Sequence, residues 1–437
     1  MQKSSSMTNR NLIAKPRFYL INGRLMVFLS FCLIFSAHRV FTQTIYSSSQ
    51  LLQLADTIGS SAHFQANLNF LTQEKQNLAL VNEIELRTET DELDLSRQEY
   101  LMRLSLSNRK SRQTQNAITQ TQIQYYQQRA AAMEAEEVKE RYESLLTWHK
   151  LQTKAQYIRS RLLLLADQKT VYQNQLSNSS DFEISDLLKI ESEIQSLERE
   201  SMQLQKLQED LADRLLIDNK AETPIELNTE DWISFSTMRF VLNNIEKLPN
   251  QHPLLAIQQT EVDLESLNLD LEVAEGKQIL DFVQLKYSGR ESLTIPQEFS
   301  LGLGVRIPTK ATNRQKVNEA QLDLFDEEFK QRQLEEKIAQ RLRDYYQSYQ
   351  QLEMEYQMLV KQIEESDWEG TLATYQQAGI VSPLSLLQIK ETLLKQERSL
   401  FKLEAEAREI FIKILAAKGL LNQAPRTNYL SDKMEVY

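Results

Sequence analysis

The chain is poor in the residues that break regular structure. Only 9 of its 437 residues are glycine and 8 proline, and neither occurs between Gly59 and Pro224. Both residues interrupt helices. Their absence over so long a stretch predicts helices well beyond the ordinary length of about 11–12 residues. Cysteine is nearly missing. Cys32 is alone and lies in an apolar run near the start, so packing rather than disulfides must hold the rest together. Histidine is scarce, and His38, His63, His149 and His252 are too scattered to form a metal site. The two in similar places, His63 and His252, read as helix starts. Positive charge is in deficit, 50 Lys and Arg against 61 Asp and Glu for a net charge of −11, so no nucleic acid is expected as a partner. There is no glycine-rich phosphate loop or nucleophile motif. The chain is expected to be no enzyme, with no catalytic residue, no cofactor and no metal.

Long hydrophobic runs are lacking too. The longest, Leu25 to Ala37, spans thirteen residues. That is short of the roughly 20 a membrane helix needs, but it suits the core of an export signal, and Lys15, Arg17 and Arg24 precede it. Residues 1–42 are expected to be a signal peptide. A chain like this enters a membrane, if at all, by strands.

What the chain does contain is heptads. From Ser382-Pro383, a helix-start pair, apolar positions follow at Leu386, Ile389, Leu393, Leu400, Leu403, Ala407, Ile410, Ile414, Ala417 and Leu421. The spacing of three and four predicts supercoiling against another helix. A second seam, Leu387, Leu394, Phe401 and Leu415, implies a neighbour on each side. The same frame occurs earlier, at Leu187, Ile190, Ile194, Leu197, Leu204, Leu211 and Leu215. Each heptad follows a turn and a longer helical stretch, about Tyr126 to Tyr172 and about Arg314 to Tyr375. Two such units in register indicate an internal duplication.

One stretch breaks the helical period. Phe299, Leu301, Leu303, Val305 and Ile307 alternate with small or polar residues, as do Val283, Leu285 and Tyr287 before them. Period two marks strands, so a β-hairpin is expected at about 279–308. A weaker counterpart is read at about 100–125. Its first strand would carry Met102, Leu104 and Leu106, and its second Ala117, Thr119, Thr121, Ile123 and Tyr125, with a basic turn at 108–112; a continuing helix is the competing reading of this stretch. Two hairpins give four strands with open edges, too few for a closed membrane barrel. Either they form a small soluble sheet or several chains pool them.

These residues resemble the TolC family of outer-membrane efflux proteins. The likeness rests on His252-Pro253-Leu254-Leu255 opening a helix, on Leu301-Gly302-Leu303-Gly304-Val305-Arg306-Ile307-Pro308, and on Tyr375 and Gly379 leading into Ser382 to Leu387. It is good over roughly 250–421 and weaker over 50–217. The resemblance implies a mainly α fold with a small β part. Long antiparallel helical hairpins in two repeats would form a trimeric α-barrel, and two β-hairpins per chain would contribute to a shared 12-stranded outer-membrane β-barrel. It implies a homotrimer in outer-membrane lipid that extends into the periplasm. A periplasmic adaptor (membrane fusion) protein and an inner-membrane efflux pump would be its partners in tripartite efflux or type I secretion.

The expected organisation is a first repeat at 43–216 with a turn at about 176–186, an equatorial connection at 217–250, a second repeat at 251–421 with a turn at about 376–383, and a polar tail at 422–437. Tyr375, Gly379, Ser382, Pro383, Ser385 and Gln388 would form the periplasmic gate. Val283, Leu285, Tyr287, Phe299, Leu301, Leu303, Val305 and Ile307 would face lipid. Ser385 and Gln388 stand where the best-known family member has aspartates, so an acidic constriction is not carried over. The alternative is a soluble periplasmic coiled-coil adaptor or scaffold, which explains the heptads but not the hairpin at 279–308.

Overall fold

The computed structural model describes residues 44–54, 62–73, 81–90, 98–176, 184–215, 225–227, 232–288, 299–305, 310–378 and 382–437. The signal segment 1–42, the turn at 178–181, Ile307 and Gly379 lie outside the described residues. The chain is mainly α with a small antiparallel sheet. In order, the elements are β1 (Thr44–Tyr46), α1 (Ser48–Leu54), α2 (Ala62–Gln73), β2 (Val81–Thr90), β3 (Gln98–Leu106), α3 (Arg109–Leu176) and α4 (Ile184–Leu215). After them come β4 (Ile225–Leu227), α5 (Phe235–Ile245), α6 (Pro253–Glu275), β5 (Leu280–Ser288), β6 (Phe299–Val305), α7 (Lys310–Ser366), α8 (Trp368–Ala378) and α9 (Pro383–Lys418).

Two spines dominate. The 68 residues of α3 rise at 1.5 Å each to about 100 Å, and the 57 of α7 to about 85 Å. Shorter helices stack along them in two tiers. Near the sheet, α2 packs on α3, and α6 lies between α3 and α7. Farther away, α4 packs on α3, and α9 lies between α3 and α7. The two seams of α9 thus each find a neighbour. The helical layer runs α2/α4, α3, α6/α9, α7, and among the described residues no further helix packs along its two edges.

The first hairpin sits upstream of where the alternation placed it. Its strands are β2 and β3, joined in antiparallel register with Leu86 opposite Met102. Ala117 to Tyr125 is not a strand but part of α3. The supposed basic turn is the start of that helix, where the Asn108 Oδ1 accepts the Lys110 N–H at 3.1 Å, an N-cap contact. The threonines that looked like one strand face bond back along the helix, Thr121 Oγ1 to the Ala117 carbonyl at 2.9 Å and Thr119 Oγ1 to Gln115 at 3.1 Å. That pairing satisfies a hydroxyl inside a helix.

A second departure is the break between α7 and α8. No glycine or proline makes it. Asp367 adopts φ 39°, in the left-handed region that Asp tolerates better than most residues. Its carboxylate then accepts the Gly370 N–H at 3.2 Å and so caps α8.

The main core lies at the waist. Tyr142, Leu145, Leu146 and Trp148 of α3 meet Met238 and Val241 of α5 and Phe411, Ile414 and Leu415 of α9. Residues 422–437 are not a loose polar tail but part of this belt. Leu430 and Asn428 are fully buried, the Leu430 carbonyl accepts the Ile233 N–H at 2.9 Å, and the Thr427 carbonyl accepts the Tyr142 hydroxyl at 2.8 Å. The parallel pair β1 and β4 completes the connection between the two halves.

Candidate functional site

The sheet runs β2-β3-β5-β6, all antiparallel. Its register sorts the side chains by chemistry. One row across the four strands reads Leu86, Met102, Leu285, Leu301, and the next Ile84, Leu104, Val283, Leu303. A third, toward the hairpin loops, ends in Tyr100, Tyr287 and Phe299, whose rings follow one another at 6.2 and 5.1 Å between centroids. This face is continuous, apolar and uncovered. Leu86 is 74% exposed, Leu301 73%, Leu303 64% and Val305 61%.

The opposite face is polar. Glu85, Arg103, Gln284 and Gly302 form one row, and Arg87, Leu101, Lys286 and Ser300 the next. Charges pair within it: Lys286 with Glu99 at 2.5 Å, Arg87 with Glu89 at 2.6 Å and Arg103 with Glu85 at 3.7 Å. The Arg103 guanidinium also lies 3.4 Å from the centre of the Phe282 ring, a cation–π contact. A Cβ on Gly304 would overlap that ring and one on Gly302 would overlap Gln284. The glycines let the β5 side chains lie flat along the wall. The outer strands β2 and β6 each have one edge without a partner strand among the described residues.

Of the residues expected to face lipid, Val283, Leu285, Tyr287, Phe299, Leu301, Leu303 and Val305 share the apolar face. Sequence reasoning missed Ile84 and Leu86, although Glu83, Ile84, Glu85, Leu86, Arg87, Thr88 and Glu89 carry the period-two signal plainly.

At the far end of the helices, Ser382 caps α9 by accepting the Leu384 N–H at 3.3 Å, with Pro383 in the first turn. Ser385 follows half-buried and Gln388 exposed. Tyr375 is exposed on α8. The structure thus brings Ser382, Pro383, Ser385 and Gln388 into the opening turns of one helix.

An ion network centred on the buried Arg161 stands behind that end. The Arg161 guanidinium of α3 holds Glu193 of α4 at 2.8 Å and Glu391 of α9 at 3.0 Å. Lys395 adds a contact to Glu391 at 2.8 Å. Burial alone would raise the Glu391 carboxyl, but Lys395, Arg161 and Gln168 outweigh it and hold the group down at about 2. The network pins α9 to the α3/α4 pair.

His252 caps α6, its Nδ1 accepting the Leu254 N–H at 3.2 Å. His149 is buried at the waist, stacked on Trp232 at 4.0 Å. No group of three or more His, Cys, Asp or Glu that could hold a metal occurs among the described residues, and no described helix is long and apolar enough to cross a membrane.

No protein-family model matches the chain, and no curated protein matches it in sequence. Solved structures do match its fold. A membrane protein from Pseudomonas aeruginosa aligns with TM-score 0.62 at 11% identity, over 85% of this chain and 90% of that one. The outer membrane protein VceC from Vibrio cholerae aligns with TM-score 0.56 at 13% identity, over 85% and 96%. The CmeC outer membrane channel of Campylobacter jejuni aligns with TM-score 0.56 at 10% identity, over 98% and 96%. At such identities the likeness establishes the fold, and function must be argued from the geometry.

Proposed function

We propose that the chain is a subunit of an outer-membrane duct of the TolC type. Three copies pool their sheets into a twelve-stranded barrel that continues as a helical tunnel through the periplasm. The observation that carries this reading is the uncovered apolar face on a four-stranded sheet with two free edges. In water that face and those edges would be a liability. In a closed barrel it becomes the lipid-facing band and the polar face becomes the lumen. Nine residues of β5, at about 3.3 Å each and tilted 35–45°, span roughly 21–24 Å, close to the apolar band of about 25 Å in such barrels. The row Tyr100, Tyr287 and Phe299 fits an aromatic girdle at one rim.

The edges favour a head-to-tail ring. Toward the polar side, β2 presents Glu83, Glu85 and Arg87, whereas β6 presents only Ser300, Gly302 and Gly304. Long side chains from one copy would meet small ones from the next. The helical layer repeats the pattern. Met354 and Met358 are exposed on α7, and Met202 and Leu207 are exposed at a similar height on α4 at the other edge. Burying each such residue contributes about 1.5–3 kcal/mol.

The work of such a duct is passive conduction for an inner-membrane pump joined through a periplasmic adaptor. The outer membrane proteins matched above support the outer-membrane part of this reading, and the pump and adaptor come from the family resemblance. The helix ends around Tyr375, Gly379, Ser382, Pro383, Ser385 and Gln388 would dilate as its gate. Carbonate extraction of membranes tests the reading: a barrel stays in the pellet, and release into the supernatant would favour a soluble periplasmic scaffold.

A further inference from the structure

The two tiers of helices do not meet tightly. α9 stops at Gly419, which adopts φ 73°, and α6 begins at Pro253. The Gln251 N–H joins the Lys418 carbonyl at 3.1 Å. Between this joint and the spines α3 and α7 lies a cavity of about 540 Å³, a volume in the range of small-molecule sites. It is open because Ala132 and Ala135 of α3 and Ala416 and Ala417 of α9 line it where larger residues would fill it. Met133, Ile257 and Ile338 supply apolar wall.

Its charge is one-sided. Arg129 and Lys139 of α3, Arg341 of α7 and Lys413 of α9 all line it, against Glu136 alone among the lining residues. In a chain of net charge −11, four cations around one cavity run against the overall balance. Two of them are answered: Lys139 lies 2.6 Å from Glu136 and Arg129 3.9 Å from Glu261. Arg341 and Lys413 take part in no ion pair among the described residues. His252, also in the lining, responds to the surroundings. Burial first, then the Arg341 and Lys139 charges, hold its imidazole below the ordinary value against the opposing pull of Glu136.

We propose that this cavity binds a small amphiphilic anion, a carboxylate with an apolar body. The body lies against Met133, Ile257 and Ile338, and the charged group is held by Arg341 and Lys413. Bound there, the anion ties α7 to α9 across the joint of the two tiers. The site belongs to one chain and needs neither a barrel nor a trimer, so a soluble chain with the same waist would bind equally.

The test is equilibrium dialysis of the full chain in a nonionic detergent with 1-naphthoate as probe. Neutral 1-naphthalenemethanol and cationic 1-naphthylmethylamine serve as comparisons, with protein-free detergent as blank. The expected result is saturable binding of one naphthoate per chain, at least tenfold tighter than either comparison. The double substitution Arg341→Gln with Lys413→Gln should weaken it tenfold or more. Arg398→Gln with Lys402→Gln, which removes as much charge from the groove between α3 and α9, should leave it unchanged. Ala416→Leu should reduce binding by filling the space, with circular dichroism confirming that each variant is folded. Equal uptake of the three probes, or undiminished binding by the Arg341/Lys413 variant, would overturn the proposal. Three-fold particles that bind no naphthoate would leave the duct standing and remove this site alone.

Discussion

Leu301→Arg is the substitution that bears most directly on the sheet. Leu301 is 73% exposed and lies in the row Leu86, Met102, Leu285, Leu301, near the middle of the strands. An arginine at the midplane of a lipid-facing barrel strand costs about 2–4 kcal/mol. That lowers the insertion equilibrium roughly 30- to 1,000-fold for each chain, and a trimer carries the change three times. Its neighbour Ser300 points to the polar face beside Lys286, so Ser300→Arg adds a charge to the lumen and should cost little. The assay is the fraction of each variant in carbonate-resistant membrane, together with the urea midpoint of the protein folded into lipid vesicles. Leu301→Arg should fall sharply in both and Ser300→Arg should stay near wild type. If the two behave alike, the apolar face is not a lipid face.

Other consequences can be measured separately. His149 is held down to about 3 by burial first and by Arg408 second, whereas an unfolded imidazole titrates near 6.5. The unfolded state therefore binds the extra proton between those values, and stability, full above pH 6.5, is lost as pH falls toward 3. His149→Phe should flatten that part of the stability–pH profile; an unchanged slope would contradict the burial of a neutral ring. Gly419→Ala places a Cβ against the Gln251 carbonyl at a left-handed position. It should lower the denaturation midpoint by an amount worth about 1–2 kcal/mol. Cysteines at Ser385 and its neighbours, cross-linked between copies, should block export while leaving membrane insertion intact, and normal export by cross-linked protein would refute the gate.

The heptad of α9 was legible because strict three-and-four spacing over many turns suits a supercoiled helix and little else. The second hairpin was legible because Gly302 and Gly304 fit a strand and would weaken a helix. The first hairpin was harder to read. The polar alternation at Ala117 to Tyr125 serves equally as a helix whose threonines bond back to its carbonyls. The true strand, Val81–Thr90, is rich in charged residues that look like solvated surface until the sheet gives them a face. The Asp367 break was hidden because a capping aspartate resembles any other acid in an acidic run. Residues 422–437 dock through Leu430, Tyr429, Met434 and Tyr437 together with backbone hydrogen bonds, and apolar residues spaced so irregularly leave no hydrophobic period to detect. The cavity at the helix joint draws its residues from five separated helices and its four cations from three of them, so its charge is visible only once they are stacked.

Electron microscopy of the detergent-extracted protein tests the central claim most directly. Three-fold particles, on the order of 100 Å or more in length, with a central channel and a detergent belt around one end, are predicted. Thin rods or dimers with no belt would contradict the duct and favour a periplasmic scaffold.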